Sequence, residues 1–104
     1  MSYSINYTEQ SQNDLDGIFK YVAFTLQEPV VAVKLYEEIT KSVRALEVMP
    51  LRNPIFDETP WKNLRLRKLI VKNYIVFYIV NETDETVTVV RIMYGGRNIE
   101  EQLK

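Results

Sequence analysis

The sequence predicts a single α+β domain over residues 1–104, with the element order β-α-α-β-β-β. Three observations predict it. The first residues alternate between polar and apolar side chains, and two longer segments then repeat apolar side chains every three or four positions. The last part holds three β-like runs with short polar turns between them. We expect a helical hairpin packed on one face of a small antiparallel sheet, formed by a three-stranded meander and the N-terminal strand.

The N-terminal segment supplies the first strand and the first helix. Residues 2–7, SYSINY, alternate as a half-buried strand does. The apolar residues that follow have the spacing of one helical face: Leu15, Ile18, Phe19, Val22 and Leu26. Asp14 and Asp16 lie off that face. Thr8 or Ser11 is the expected N-cap of this helix.

A second helix follows the break at Glu28-Pro29, with Pro29 suited to its first position. Its apolar face is Ala32, Leu35, Tyr36, Ile39, Val43 and Leu46. Pro50 is expected to close it, and the short connection between the helices implies an antiparallel hairpin. Residues 50–63 hold three prolines and no clear period, so we expect a surface connection there.

The three β-like runs are LRLRKLIV, YIVFYIV and TVTVVRIMY. Lys72-Asn73 separates the first two, and Asn tolerates the left-handed conformation that a tight turn requires. Asn81–Glu85 separates the second and third. The middle run does not alternate, so both of its faces should be covered. The helices can cover one face, and the C-terminal segment Asn98–Lys104 or another molecule must cover the other.

Two absences limit the chemistry. The chain has no Cys, which excludes disulfides, thiolate metal sites and a Cys nucleophile. It has no His, which excludes a Ser-His-Asp triad and removes the commonest transition-metal ligand. Any catalysis must therefore rest on Asp, Glu, Lys, Arg, Tyr or backbone groups. No segment approaches the roughly 20 apolar residues of a membrane helix. MSYSINYTEQ lacks the features of a secretory signal, so we expect an intracellular protein.

The net charge of −1 is unevenly distributed. Residues 1–60 hold five Lys/Arg against nine Asp/Glu, and residues 61–104 hold eight against five. The block WKNLRLRKLIVKN contains no acid and carries Lys62, Arg65, Arg67, Lys68 and Lys72. One interpretation is a solvated strand edge that Lys and Arg guard against aggregation. The other is a local site for phosphate or carboxylate. The pI of about 5.5 gives no global attraction to nucleic acid.

The last strand ends unusually, in VRIMYGGRN. Alternation places Arg91 on one strand face with Val87, Val89 and Met93. There it is either a functional side chain or a core-edge Arg paired with an acid of the first or second helix. Tyr94 fits ordinary packing equally well, and Gly95-Gly96 fits a turn or bulge. Arg97 lies just past the strand end, where functional residues concentrate.

Four segments carry a resemblance to a known family. NDLDGIFKYV and PVVAVKLYEEITKSVRALEVMP resemble its two helices, the second ending in the usual Leu and Pro. LRLRKLIVKNYIVFYIV resembles its R-x-L-x-V-x-x-Y core, and VTVVRIMYGGRN resembles its closing strand. In this order and spacing, they make the chain similar to the RelE/ParE superfamily of bacterial toxins from toxin–antitoxin pairs, over nearly its whole length.

The resemblance implies a growth-inhibiting toxin of a type II toxin–antitoxin pair, cytoplasmic and of the kind linked to plasmid stabilisation. A cognate antitoxin holds such toxins inactive by wrapping an extended or helical segment around them. The pair usually represses its own promoter, with the antitoxin supplying most of the contact to operator DNA. The resemblance implies no cofactor, no metal and no membrane partner.

Two modes of action divide the superfamily. Ribonuclease members cut mRNA in the ribosomal A site without requiring a metal, using cationic side chains to stabilise charge on the phosphate and a perturbed Lys or Tyr to move protons. ParE-type members act on DNA gyrase. If this chain is an enzyme of the first kind, its catalytic candidates are Lys68, Arg91, Tyr94 and Arg97. The candidates for substrate or target binding are Arg65, Arg67, Lys72 and Arg97.

The sequence departs from the ribonuclease pattern after Tyr74. Ribonuclease members typically place an Arg there, whereas this chain has Ile75. RIMYGGRN echoes the ParE ending, with Tyr94 in place of His. We therefore favour a ParE-like protein target, with ribosome-dependent mRNA cleavage as the second hypothesis. A third is an inactive relative that only binds the antitoxin and tunes repression. Arg65 and Arg67 share a strand face and are alternatively contacts for acidic residues of the antitoxin.

Overall fold

The computed structural model describes residues 2–56 and 64–95. The described elements are strand β1 (Ser4–Tyr7), helix α1 (Glu9–Lys20), a π-helical segment (Tyr21–Thr25), helix α2 (Pro29–Arg44) and strands β2 (Arg67–Val71), β3 (Tyr74–Asn81) and β4 (Thr86–Tyr94). Short 3₁₀ turns occupy Ala45–Glu47 and Pro50–Arg52. The predicted α+β class and element order are confirmed. In the part of the chain that the structure describes, no helix is long and apolar enough to cross a membrane.

The described strands form one mixed sheet with the order β1-β4-β3-β2. The predicted antiparallel pairing is confirmed for β2, β3 and β4, but β1 pairs with β4 in parallel, so a wholly antiparallel sheet is wrong. The reason is where α2 ends. The Tyr3 N–H donates to the Glu47 carbonyl at 2.8 Å, so α2 returns the chain to the starting end of β1. From that end, β2, β3 and β4 alternate in direction, so β4 runs in the same direction as β1.

The helical hairpin covers one face of the sheet, as predicted. The buried side chains between the two layers form the helix-side cluster: Leu15, Ile39, Val43, Leu46, Leu69, Val71, Val76, Tyr78, Val87, Val89 and Ile92. Tyr78 also fixes the segment that follows α2. Its hydroxyl donates to the Pro50 carbonyl at 2.7 Å and accepts from Asn53 Nδ2 at 3.0 Å.

The opposite face carries a second apolar group, here called the far-face cluster: Phe56, Leu66, Ile75, Phe77 and Met93. Phe56 packs edge-on against Phe77, with ring centroids 5.2 Å apart. The described residues that cover this face therefore come from the connection before β2, which the sequence predicted as surface only. That prediction is wrong for Pro50 and Phe56, which are buried because the apolar β3 needs cover on both sides. Asn98–Lys104 lies outside the described residues.

A β-bulge interrupts the pairing of β3 with β4. Tyr78 pairs with Val89 and Phe77 pairs with Arg91, so Val90 is the extra residue. The bulge reverses the alternation along β4. Val87 and Val89 lie in the helix-side cluster, whereas Met93 lies in the far-face cluster. The prediction that Arg91 shares one face with all three is therefore wrong.

Both helices start as predicted, but α2 ends at Arg44 rather than just before Pro50, and the apolar face predicted for the first helix has one exception. Thr8 is the N-cap of α1, accepting the Ser11 N–H at 3.1 Å, and Pro29 begins α2. The exception is Leu26, which is 51% exposed although it was predicted on the apolar face. Its N–H donates to the Tyr21 carbonyl in the π-helical segment. The wider π turn rotates later side chains away from the face expected of a regular α-helix.

The turn between β2 and β3 has two residues, Lys72 and Asn73, because Val71 pairs with Tyr74. The left-handed residue of this turn is Lys72, with φ of 56°, whereas the sequence suggested Asn73. This is the pattern of a hairpin turn with positive φ at its first central position, where Gly is usually found.

Candidate functional site

A pocket of about 700 Å³ opens where β4 ends and β3 begins, beside the last turns of α1. Asn13 and Asp14 line it from α1, Tyr21 and Leu26 from the hairpin tip, and Tyr74, Arg91 and Tyr94 from the strands. Two residues selected from the sequence, Arg91 and Tyr94, therefore meet in one place. Both lie beyond the bulge, so the bulge decides which way this end of β4 faces.

Arg91 is held by a carboxylate from the first helix. Its Nε donates to Asp14 Oδ2 at 2.8 Å and its Nη2 donates to Asp14 Oδ1 at 3.2 Å. Both side chains are largely buried, so solvent weakens the attraction in this bidentate pair far less than it does in a surface ion pair. Of the two interpretations of Arg91, the structure therefore shows the ion pair with an acid of the first or second helix.

Asp14 has a second partner, which explains its position. The Ile92 N–H donates to Asp14 Oδ2 at 3.0 Å. β1 stops pairing with β4 at Val89, and the start of α1 takes over this edge. The Thr8 N–H donates to the Val89 carbonyl and the Thr8 hydroxyl to the Val90 carbonyl, both at 3.0 Å. The sequence analysis missed Asp14 as a site residue because it lies off the apolar stripe of α1.

The strand ends present a pair of tyrosines. The Tyr74 and Tyr94 rings are 5.7 Å apart in an edge-to-face arrangement, and Tyr94 is 44% exposed. Burial raises the pKa of Tyr74, and the neighbouring Tyr94 and Tyr21 raise it further. Tyr74 is therefore a neutral phenol at neutral pH, suited to donating a hydrogen bond rather than to removing a proton.

Gly95 directly follows Tyr94 at the end of β4. Its N–H donates to the Asn73 carbonyl at 2.8 Å. A Cβ at this position would lie 3.2 Å from two carbons of the Ile75 side chain and 3.4 Å from the Asn73 carbonyl oxygen. The glycine thus leaves room for the Ile75 side chain, and it lies in a turn, which is one of the two conformations that the sequence suggested.

The basic residues predicted on β2 contact other parts of this chain. The Arg67 guanidinium donates to the Asn53 carbonyl at 2.6 Å and to the Leu51 carbonyl at 3.3 Å, so it anchors the connection. The Lys68 ammonium lies 5.8 Å from the Phe56 ring centroid, within cation–π range. Lys68 pairs with Phe77, and Phe77 pairs with Arg91. These residues therefore form one row across the far face.

The remaining candidates are dispersed. Arg65 precedes β2 and has a φ of 57°, so the prediction that it shares a strand face with Arg67 is wrong: the strand begins only at Arg67. Lys72 lies in the hairpin turn, 3.6 Å from Glu38 of α2, with both side chains exposed. Arg97 lies outside the described residues. Among residues 2–56 and 64–95, no group of three or more Asp, Glu, Cys or His side chains is placed to hold a metal ion.

Comparisons with known proteins agree with this fold. A family model described as the ParE toxin of the type II toxin–antitoxin system, parDE, matches residues 5–99. A chain of the chromosomal ParDE toxin–antitoxin system from P. aeruginosa superposes with a TM-score of 0.72 and 21% identity, covering 89% of this chain and 96% of that chain. A comparison with curated protein sequences finds no match.

Two further structures share the fold. One is from the RelBE2 toxin–antitoxin complex of Mycobacterium tuberculosis, with a TM-score of 0.63, 16% identity, and coverage of 90% of this chain and 99% of that chain. The other is an arginine-to-alanine mutant of E. coli toxin RelE in the free state. Its TM-score is 0.61 at 14% identity, with coverage of 90% of this chain and 84% of that chain.

Proposed function

Because the chain belongs to the ParE toxin family of type II toxin–antitoxin systems, we propose that it arrests growth by binding a protein target, DNA gyrase. We further propose that it acts in the cytoplasm, that a cognate antitoxin neutralises it, and that it reaches operator DNA only through that antitoxin. The proposed action is binding, so it requires neither a metal nor a cofactor.

One observation carries the preference for a protein target. Ile75 occupies the position where the ribonuclease pattern has an Arg, and it is 9% exposed, packed in the far-face cluster. A buried aliphatic side chain cannot contact an RNA phosphate. Arg91, which is close to it in the sheet, has its charge engaged by Asp14. A ribonuclease of this kind must instead concentrate several cations on one phosphate.

The chemistry of the pocket rim also supports a protein target. Tyr21, Leu26, Tyr74 and Tyr94 surround the pocket with aromatic and aliphatic surface. The hairpin tip extends that surface, since Phe24 in the π-helical segment is 71% exposed. Tyrosine and apolar side chains around a partly buried Arg are the composition that protein interfaces favour at their centres.

Ribosome-dependent mRNA cleavage is the second candidate, and the row across the far face favours it. Lys68 and Arg91 are two strands apart with Phe77 between them, which places their backbones about 10 Å from each other. The Phe77 ring is fully buried, so RNA would meet the two cations and not the ring, through attraction to its phosphates. In that mode Lys68, Arg91, Tyr94 and Arg97 would be the catalytic candidates.

The test is a pair of assays on the toxin freed from its antitoxin. We expect it to inhibit DNA supercoiling by purified gyrase, and the addition of antitoxin to restore supercoiling. In a cell-free translation reaction with one defined mRNA, primer extension should detect no new ends. Codon-phased ends that require ribosomes, with gyrase unaffected, would replace the proposal with the ribonuclease. Antitoxin binding without either effect would indicate an inactive relative that only tunes repression.

A further inference from the structure

One face of the first helix forms a wall of the pocket at the end of β4. Residues three or four positions apart lie on the same helical face, and Asn13, Asp14, Gly17, Ile18 and Tyr21 have that spacing. All five line the pocket. Gly17 lies one turn after Asn13 and one turn before Tyr21, so this wall has no side chain at its centre.

The fold of the described chain does not require a glycine at this position. Gly17 lies within α1, and none of the described glycines has a positive φ. Among residues 2–56 and 64–95, a Cβ added to Gly17 would meet nothing within 4 Å beyond the backbone of its own helix. Glycine inside a helix is also less stable than alanine. The glycine therefore weakens α1 and leaves the pocket open at this point.

The charges in the pocket compensate each other. Among the described residues, Asp14 and Arg91 are the charged side chains that line it, and they form a bidentate pair. A cationic side chain entering the pocket would meet the charge of Arg91, and an anionic one would meet that of Asp14. Either would lose its hydration without gaining an uncompensated opposite charge. Charge complementarity therefore selects an uncharged occupant.

The other lining side chains suit an aromatic ring. Tyr74 and Tyr94 already form an edge-to-face pair, and Tyr21 contributes a third ring from the helix side. Rings in this geometry gain contact energy beyond their buried area, which an aliphatic side chain does not. The guanidinium of Arg91, held in plane by Asp14, is a group that stacks on aromatic faces. An aromatic side chain therefore fits this lining better than an aliphatic one.

We propose that the pocket receives one aromatic side chain of the target protein, and that Gly17 keeps the space for its ring. This inference rests on the proposed function and adds the chemistry of the group that the toxin recognises. The ring lies over Gly17, between the three tyrosines. The exposed amides of Asn13 and Asn73, which also line the pocket, bond to the backbone of the segment that carries the ring.

The first test fills the pocket. Gly17→Leu places a side chain in the space for the ring, so half-inhibition of DNA supercoiling by gyrase should need at least about tenfold more of this variant than of wild type. Gly17→Ala should cause a smaller loss. Both substitutions favour the helix, so both should raise the midpoint of thermal unfolding, by about 2–8 °C. A glycine with a merely structural role would not lose inhibition while stability rises.

Gln12→Leu is the matched control, because it adds the same side chain to α1 at an exposed position outside this pocket. It should inhibit gyrase within about twofold of wild type. Inhibition by Gly17→Leu as strong as that by Gln12→Leu overturns the proposal, while the gyrase target stands. A wild-type toxin that leaves gyrase unaffected removes the proposed function instead. The growth-arrest assay then tests the pocket, and equal toxicity of the two leucine variants overturns it for any target.

The second test identifies the occupant. N-acetyltryptophanamide, N-acetylleucinamide, N-acetyllysinamide and adenosine are each added at millimolar concentration to the toxin freed from its antitoxin, and amide chemical shifts are followed by NMR. We expect the tryptophan derivative to bind most tightly, shifting the Gly17 and Tyr94 amides of wild type but not those of Gly17→Leu. Equal or tighter binding of the leucine or lysine derivative overturns the proposal, as does the absence of binding by all four. Tighter binding of adenosine overturns it in favour of an RNA base.

Discussion

The Asp14 carboxylate joins a helix to a strand end with three hydrogen bonds, to Arg91 Nε, Arg91 Nη2 and the Ile92 N–H. Removing it takes the Asp14 carboxylate from a largely buried guanidinium and the acceptor from the Ile92 amide. We expect Asp14→Ala to lower the free energy of unfolding by about 2–4 kcal/mol. Asp14→Asn keeps an acceptor for Ile92 and should cost about half as much.

Urea denaturation followed by circular dichroism measures this difference. Asp16→Ala is the matched control, since Asp16 lies two positions away and is exposed. It should change the free energy of unfolding by less than about 0.5 kcal/mol. Equal effects of Asp14→Ala and Asp16→Ala would show that the ion pair contributes nothing beyond surface charge.

Tyr78 gives a prediction about pH. Burial raises the pKa of its hydroxyl above 10.0, and the hydrogen bond from Asn53 and the charges of Arg67 and Arg52 only partly oppose that shift. Above about pH 10 the unfolded chain releases this proton while the folded chain keeps it. Stability present below that pH is therefore lost as pH rises. We expect Tyr78→Phe to cost about 1–2 kcal/mol near neutral pH, since Asn53 and the Pro50 carbonyl lose their partner.

Tyr78→Phe also removes the hydroxyl that titrates. The stability difference between wild type and Tyr78→Phe should therefore shrink above about pH 10, because only the wild type still loses stability through this group. Thermal unfolding of both proteins across the alkaline range measures it. A difference that stays constant with pH would contradict the raised pKa of Tyr78.

Among the elements, the β2–β3 turn holds a lysine in a conformation that suits glycine. Lys72→Gly should stabilise the protein by about 0.5–1 kcal/mol, because glycine adopts a positive φ without steric cost. The exposed ion pair with Glu38 contributes little and is lost in any Lys72 variant. Lys72→Ala, which retains a Cβ at positive φ, is the control. Chemical denaturation in which the alanine variant is as stable as the glycine variant would contradict this account.

The elements show what local sequence determines. The helix starts at Thr8 and Pro29 were predictable because capping and proline geometry depend on neighbouring residues alone. The β3–β4 bulge and the π-helical segment were not. Both shift the register by one residue, and nothing in the local apolar pattern marks where that residue lies. The errors for Arg91 and Leu26 follow from those two shifts.

The same difference between features set by neighbouring residues and features set by the fold applies to the contacts of the site. Arg91 and Tyr94 were predictable as members of it because charged and aromatic residues at a strand end stand out in a sequence. Asp14 was not, since its partner lies 77 residues away and only the fold brings them together. Arg67 was assigned to binding for its charge, although the structure gives its donors to the carbonyls of the connection.

For the whole molecule, the proposed target surface predicts a separation of activities. Tyr94→Ala should reduce growth inhibition at least about tenfold while antitoxin binding and thermal stability are retained, because the exposed Tyr94 ring contributes to the pocket rim. Arg97→Ala should do the same if the sequence-based assignment of Arg97 holds. Toxicity is measured by induced expression and plating, with and without the antitoxin.

A matched control for this separation is Tyr36→Ala, which removes a partly exposed ring from α2, away from the pocket. Its toxicity should stay within about threefold of wild type. Full toxicity of both Tyr94→Ala and Arg97→Ala, in folded protein that still binds antitoxin, would remove these residues from the site.

The position of β4 between β1 and β3 has a consequence for biosynthesis. β1 is made before the other described strands, yet its only sheet partner in the described structure is the last of them, β4. The nascent chain can pair β2 with β3 and form its helices, but β1 cannot dock and the end of β4 that carries Arg91 and Tyr94 does not yet exist. Contacts between such distant segments also form slowly. We therefore expect a chain interrupted before β4 to be harmless, and toxicity to begin only after β4 has been made.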